Sequence, residues 1–178
     1  FYRGDYTGIE PDKTTPAQTP RSLPTLANFT LIGAGAEASL GANLRRGTGA
    51  HIYSAVITGY KTACLQVDGA DSAALVGTDL TLASSRIECD VSFSEITDTA
   101  TQDLFEFAGA GNEIVSDLAA QLTDATSHTP NFAPVDGSVL LEGGTTPDDA
   151  FFTAETFIGA IGTEDWTAGW TKVTDFGG

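Results

Sequence analysis

The chain has few positive charges. Its 178 residues include 8 Lys and Arg against 24 Asp and Glu, which gives a formal net charge of −16 at pH 7. A surface of this sign repels the phosphate backbone of nucleic acids and the anionic surface of membranes, so we expect neither as a partner. Acidic surfaces screened by cations are typical of proteins secreted into a salty medium. We therefore expect an extracellular or bacterial cell-surface location.

Methionine and long apolar runs are also missing. Because the chain contains no Met and opens on Phe1, we expect it to be a processed or truncated piece of a longer protein, whose N-terminal part is a candidate partner. No apolar stretch reaches the length that spans a bilayer, so we expect no membrane span in this part of the protein. Hydrophobic residues make up 41% of the chain, which is enough for one buried core and predicts a single folded domain.

Only two cysteines are present, and their spacing carries positional information. Cys64 and Cys89 are 25 residues apart, as are Leu31 and Val56 in two strand-like runs. This period, in a chain with 20 Gly and many small or β-branched residues, predicts stacked coils of short strands, a right-handed parallel β-helix. Cys64 and Cys89 would then stack in neighbouring coils within reach of a disulfide, which an oxidising compartment favours. Two buried free thiols are the alternative.

The composition divides the chain into three segments. Residues 1–27 are rich in Pro and predict an extended N-terminal segment. Residues 26–100 combine β-branched residues with Gly, Asp and Ser, which predicts the coils of the solenoid. Residues 101–178 predict a helix, loops and a C-terminal capping segment. Within it we expect an amphipathic helix over 112–123 and a short strand over 138–143.

Three stretches of the sequence resemble a known family. They read PRSLPTLANFTLIGAG, LRRGTGAHIYSAVITGYKTACLQVDG and FFTAETFIGAIGTEDWTAGWT, and the resemblance covers almost the whole chain. It is to the C-terminal part of a family of secreted or outer-membrane-associated bacterial parallel β-helix proteins from marine and environmental species. The resemblance implies the β-helix fold, a surface or secreted location, and earlier coils in an N-terminal portion. It implies no particular chemistry.

Both tryptophans lie near the end of the chain. An open solenoid exposes the interior of its last coil and a row of unpaired backbone groups, so a terminal coil needs a cover. Apolar residues interspersed with glycines predict a structural cap that folds over the last coil or along its flank, formed by Phe157, Ile158, Ile161, Trp166 and Trp170. The competing interpretation is that Trp166 and Trp170 form a stacking platform for a sugar ring.

Charged side chains form two candidate sites. The acidic residues Asp68, Asp71, Asp148 and Asp149 are candidate ligands of a structural Ca²⁺, although their spacing matches no calcium-binding loop and solvated surface acids are the alternative. Alternate positions of one predicted strand carry a base and two acids that can face the same side, namely Arg86, Glu88 and Asp90. A polysaccharide lyase needs such a combination; the alternative is an ordinary solvent-facing strand.

Together these patterns favour a role without catalysis. We expect an extracellular structural protein, either a module of a larger surface protein or a subunit that assembles with other copies of itself into a filament or layer. A glycan-binding adhesin module is the first alternative, and a polysaccharide lyase-like enzyme is the second. Apart from the candidate Ca²⁺, we expect no cofactor.

Overall fold

Short strands make up most of the regular structure. The computed structural model describes residues 2–4, 9, 19–34, 38–124 and 131–169. The strands are β1 (Tyr2–Gly4), β2 (Thr25–Ala27), β3 (Thr30–Gly33), β4 (Leu40–Arg45), β5 (Ala50–Tyr53), β6 (Val56–Thr58), β7 (Ala63–Asp68), β8 (Leu80–Ala83), β9 (Arg86–Glu88), β10 (Phe93–Ser94), β11 (Glu113–Ile114), β12 (Leu122–Asp124) and β13 (Asn131–Pro134). The helices are α1 (Ala70–Ala73), α2 (Ala100–Phe105) and a 3₁₀ helix (Leu118–Gln121).

Three parallel sheets form the walls of a solenoid. Sheet A has the order β1-β3-β6-β9-β11, sheet B the order β4-β7-β10 and sheet C the order β2-β5-β8. Their strands pair in parallel, while β12 and β13 form a separate antiparallel pair. The chain visits sheet C, then sheet A, then sheet B in each coil, so that equivalent strands of successive coils stack. The parallel β-helix expected from the sequence is confirmed.

The register differs by one residue from the expected repeat. Leu31 pairs with Ile57, 26 residues later, whereas Val56 pairs with Thr30 and Arg86. Leu31 and Ile57 pack in the interior core, and Val56 packs in a second cluster outside the solenoid. Leu31 and Val56, which are 25 residues apart, therefore do not hold equivalent positions in successive coils. A slip of one residue moves a side chain to the opposite face of a strand, so the two positions differ in what they contact.

A close approach of backbones fixes the corner between sheets A and B. Gly33 ends β3 and Gly59 directly follows β6, one coil above it. A Cβ atom at Gly33 would lie 2.6 Å from the carbonyl oxygen of Gly59, well inside van der Waals contact. Because stacked strands are only about 4.8 Å apart, this corner leaves no room for a side chain.

Helix α2 closes one end of the interior core. Its residues Leu104 and Phe105 are 1% and 6% exposed and belong to the interior cluster. The ring of Phe105 lies 5.1 Å from the ring of Phe93 on β10, the last strand of sheet B. The interior of the last coil is thus covered by a helix that the sequence analysis did not place.

Two elements expected in the C-terminal segment do not form. The predicted helix over 112–123 is replaced by β11, the 3₁₀ helix and the first residues of β12. Pairing of β11 with β9 outweighs helical periodicity, and Asp117 has a φ of 57°, which interrupts any helix. The predicted strand over 138–143 consists of turns, in which Ser138 N donates to Val135 O and Leu141 N donates to Ser138 O.

A second hydrophobic cluster lies on the outer face of sheet A. Ile32 and Val56 point outward from their strands and contact the C-terminal third of the chain. That third contributes the buried side chains Leu118, Leu122, Phe132, Ala133, Leu140, Ile158 and Ile161. Sheet A therefore separates two cores, one inside the solenoid and one on its flank. In the described part of the chain, no helix has the length and apolarity needed to cross a bilayer.

Candidate functional site

The two cysteines lie at the corner between sheets A and B. Cys64 is in β7 and Cys89 directly follows β9 in the next coil. They form a disulfide with a Cα–Cα distance of 5.5 Å. The pairing expected from the sequence is confirmed. The bond cross-links two neighbouring coils, and Cys64 is completely buried.

Arg86 does not lie on an open face. Its side chain points outward from sheet A, yet the residue is only 7% exposed. Its Nη1 atom donates hydrogen bonds to the carbonyl oxygens of Gly111 (2.9 Å) and Ser85 (3.2 Å). Its Nε atom lies 3.4 Å from a carboxylate oxygen of Glu113 without hydrogen-bond geometry. The guanidinium group thus holds the chain that continues sheet A into β11.

Glu88, two residues further along β9, also bonds to the backbone. Its carboxylate accepts hydrogen bonds from the N–H groups of Asp117 (2.8 Å) and Leu118 (2.7 Å), at the start of the 3₁₀ helix. Asp90 instead forms an exposed ion pair with Lys61 at 3.3 Å. The three charged residues expected to share one open face therefore contact three different sets of partners. The sequence analysis did not predict these contacts, because the segment that covers this face lies some 30 residues further along the chain.

The acidic residues considered for calcium lie on different parts of the surface. Asp68 ends β7 and Asp71 is exposed in α1. Asp148 and Asp149 are exposed, and Asp149 accepts a hydrogen bond from the N–H group of Phe151 at 2.8 Å. Among the described residues, no three His, Cys, Asp or Glu side chains are grouped so that they could hold a metal ion.

The predicted C-terminal cap lies along the flank of the solenoid. Ile158 and Ile161 are 1% and 3% exposed in the second hydrophobic cluster, and Phe157 is half-buried beside them. Trp166 is 51% exposed, and its Nε1 atom donates a hydrogen bond to the carbonyl oxygen of Ala160 at 2.8 Å. Trp170 lies outside the described residues. The described part of this segment therefore covers sheet A, while α2 covers the last coil.

Residues 140–161 form a strap that crosses the corner between sheets A and C. Its two arms are joined by hydrogen bonds from Ile158 N to Leu140 O (2.7 Å) and from Gly144 N to Thr156 O (2.8 Å). At the corner, Thr145 N donates to Ser54 Oγ (2.8 Å), and Ser54 Oγ donates to Thr145 O (3.0 Å). These polar contacts attach the strap in addition to its buried isoleucines.

The corner residues that hold the strap form a stacked row. Asn28, Ser54 and Ser84 each follow a strand of sheet C, with φ values of 50°, 52° and 51°. Asn28 Nδ2 donates to the carbonyl oxygen of Phe157 (2.9 Å), and the hydroxyl groups of Ser84 and Thr145 lie 2.7 Å apart. The sequence analysis missed this row. In the sequence the row can be recognised by an Asn or Ser that, together with one following residue, separates two strand-like runs. This Asn or Ser is the third residue of LANFT, IYSAV and LASSR.

Comparison with known proteins identifies the family. No curated protein and no solved structure matches the chain. The family model described as a pectate-lyase-like β-helix domain matches residues 3–171, which is nearly the whole chain. The three stacked parallel sheets agree with that description. The chain belongs to the pectate-lyase-like β-helix domain family.

Proposed function

We propose that the chain is a non-catalytic structural module of an extracellular or cell-surface bacterial protein. The observation that carries the proposal is the use of the charged groups on sheet A. Arg86 and Glu88 hydrogen-bond to backbone groups of the same chain, and the C-terminal third covers the face that they occupy. The strongest candidates for acid–base chemistry thus serve to attach one part of the fold to another.

These contacts oppose a lyase-like role. A general base must come within about 2.6–3.2 Å of the proton that it removes, directly or through one water. Arg86 is 7% exposed, and its Nη1 atom already donates to two carbonyl oxygens. Glu88 accepts two backbone N–H groups that would lose their partner if the carboxylate turned toward a substrate.

The disulfide and the charge support a location outside the cytoplasm. Disulfides persist in oxidising compartments, and the bond between Cys64 and Cys89 joins two coils. The net charge of −16 keeps the surface hydrated and discourages binding to anionic polymers. Both features agree with the resemblance to secreted or outer-membrane-associated proteins of marine and environmental bacteria.

The two ends of the solenoid favour a module over an end-to-end filament. At one end, α2 covers the interior with Leu104 and Phe105, so a second copy cannot simply continue sheet C there. At the other end, β2 pairs with β5 as its one neighbour among the described strands. Earlier coils in an N-terminal part of the same protein are the proposed partner of that edge.

Activity and assembly can be tested on the same purified chain. Incubation with polygalacturonate or alginate, with and without Ca²⁺, should produce no ultraviolet absorbance from unsaturated uronides. Light scattering coupled to size exclusion, together with negative-stain electron microscopy, should show dispersed particles. Absorbance that appears with the wild type and is lost in Arg86→Lys would overturn the non-catalytic proposal. Regular polymers would favour the self-assembling subunit instead.

A further inference from the structure

The strap carries the most exposed large apolar side chain among the described residues. Phe151 is 86% exposed, and its ring lies edge-to-face on the ring of the half-buried Phe152, with the ring centroids 5.2 Å apart. We call residues 147–154, which present these two rings, the strap tip. Single exposed apolar residues are common on protein surfaces, so the pair is informative only through how it is held and what surrounds it.

Hydrogen bonds close the strap tip at its base. Thr146 Oγ1 donates to the carbonyl oxygen of Glu155 (3.3 Å), and Glu155 N donates to Thr146 Oγ1 (2.9 Å). The preceding residue, Thr145, is bonded to Ser54 at the corner of the solenoid. The strap tip is thus a closed loop on an anchored base, and compact surface loops held in this way are a common place for binding sites.

Further hydrogen bonds fix the turn that displays the rings. Asp149 N donates to the carbonyl oxygen of Pro147 (2.9 Å). Asp149 in turn accepts hydrogen bonds from Phe151 N through its side chain (2.8 Å) and from Phe152 N through its carbonyl oxygen (3.0 Å). Pro147 is buried, whereas positions 148–151 are all exposed. A turn that is already ordered in the free chain binds a partner with little further loss of backbone entropy.

The strap tip lies in the acidic part of the chain. Residues 1–86 contain seven Asp or Glu and seven Lys or Arg, so their formal charges cancel. The net charge of −16 therefore belongs to residues 87–178, in which Lys172 is the one Lys or Arg. Within the tip, the exposed Asp148 and Asp149 lie two and three positions before Phe151 along the chain. Apolar rings in a negative field attract a partner whose own apolar pocket is bordered by Lys or Arg.

The same charge argues against two other occupants. A second copy would bring either its own acidic part or a part without net charge, so electrostatic attraction does not steer two copies together. A phospholipid surface presents phosphate groups at the level where Asp148 and Asp149 would lie if Phe151 inserted. Two aromatic side chains bury about 150–250 Å² each, less than the roughly 800 Å² per partner of a stable interface, so the contact is a transient one.

We propose that the strap tip is a docking site for a basic partner protein, with Phe151 entering an apolar pocket and Asp148 pairing with Lys or Arg at the rim of that pocket. Docking of this kind adds a partner to the proposed structural module. It uses neither Arg86 nor Glu88, so its failure would leave the non-catalytic proposal intact.

Fluorescence anisotropy tests the proposal with a labelled amphipathic Leu/Lys peptide, which offers leucine side chains beside ammonium groups. A Ser/Lys peptide of equal charge and a Leu/Glu peptide are the comparisons. The wild type should bind the Leu/Lys peptide more tightly than the Ser/Lys peptide and should not bind the Leu/Glu peptide. Phe151→Ala should weaken binding of the Leu/Lys peptide about five- to fiftyfold, the range expected when one buried apolar side chain is removed.

Each variant has a matched control. Phe107→Ala removes a ring that is 49% exposed and also lies in the acidic part of the chain, but outside the strap tip. Asp148→Lys and Glu142→Lys change the net charge equally at two exposed positions of the strap, and only the first position is in the tip. Asp148→Lys should weaken binding of the Leu/Lys peptide more than Glu142→Lys does, because it places a like charge at the rim of the contact.

Three results would overturn the proposal. The first is that the Leu/Lys peptide does not bind, or that Phe151→Ala binds it as tightly as the Phe107→Ala control. The second is self-association of the wild type in sedimentation velocity that Phe151→Ala abolishes, which would assign the strap tip to a second copy. The third is flotation of the wild type with phosphatidylcholine vesicles that Phe151→Ala abolishes, which would assign the tip to a lipid surface.

Discussion

Removal of the disulfide offers a quantitative test of how the coils are held together. The double variant Cys64→Ala/Cys89→Ala deletes the disulfide that cross-links two coils, which also pair through β6 with β9 and β7 with β10. These strand pairings should preserve the fold in the variant. The expected loss is therefore one of stability, and it arises mainly because the unfolded chain gains conformational freedom.

The size of the effect follows from the length of the closed loop. The bonded cysteines are 25 residues apart in the chain. The loop-entropy relation for that length gives about 3.5 kcal/mol at room temperature. For a chain of this size each kcal/mol corresponds to about 2–4 °C, so the melting temperature should fall by about 7–14 °C.

Chemical denaturation measures the loss and identifies its cause. The variant should show a lower free energy of unfolding and a larger m-value, because its unfolded state is more extended. Wild-type protein unfolded in the presence of dithiothreitol is the control: it also lacks the cross-link but keeps both sulfur atoms. Agreement between the two would assign the loss to the cross-link. A loss below about 1 kcal/mol with an unchanged m-value would refute the loop-entropy reasoning.

Three contacts on the flank of the solenoid give further predictions. Glu88→Ala should lower the free energy of unfolding by about 2–4 kcal/mol because two backbone N–H groups lose a charged acceptor. The control Glu142→Ala, at an exposed site, should change the free energy of unfolding by less than about 0.5 kcal/mol. Equal losses for the two variants in urea denaturation would contradict a stabilising role of the Glu88 carboxylate. Ser54→Ala should speed amide hydrogen exchange of the strap at position 145 while the sheet strands keep their protection; uniform loss of protection would argue against a locally attached strap. Ile158→Ala should cost about 2–5 kcal/mol in thermal or chemical unfolding, and Phe151→Ala less than about 0.5 kcal/mol, because the first side chain is buried and the second is 86% exposed. Similar costs for the two would contradict the second core.

The position of the strap shows how the chain uses the outside of its solenoid. Each corner residue of the row formed by Asn28, Ser54 and Ser84 has positive φ and directs a polar side chain toward the strap. The same residues thus turn the chain from sheet C to sheet A and anchor the C-terminal third.

The coils and the disulfide could be predicted from the sequence because both depend on local repetition. Short runs of β-branched residues separated by Gly, Asn or Ser recur at a nearly constant spacing, and each coil contacts mainly its neighbours. Cys64 and Cys89 lie one coil apart, so the repeat alone brought them within bonding distance. The register was missed by one residue because the coils differ in length, with steps of 26 and then 30 residues in sheet A.

Only the tertiary structure decided what covers the outside of the solenoid. The periodicity of residues 112–123 favours a helix, but the edge of β9 recruits Glu113 and Ile114 as a strand, since pairing satisfies backbone groups that would otherwise be open. The spacing of Arg86 and Glu88 likewise predicts one shared face, yet their partners, Gly111 and Leu118, come from the covering segment. Alternation along a strand determines which side chains point outward. Whether they meet water, a ligand or the chain itself depends on where a distant segment packs, and no local pattern encodes that contact.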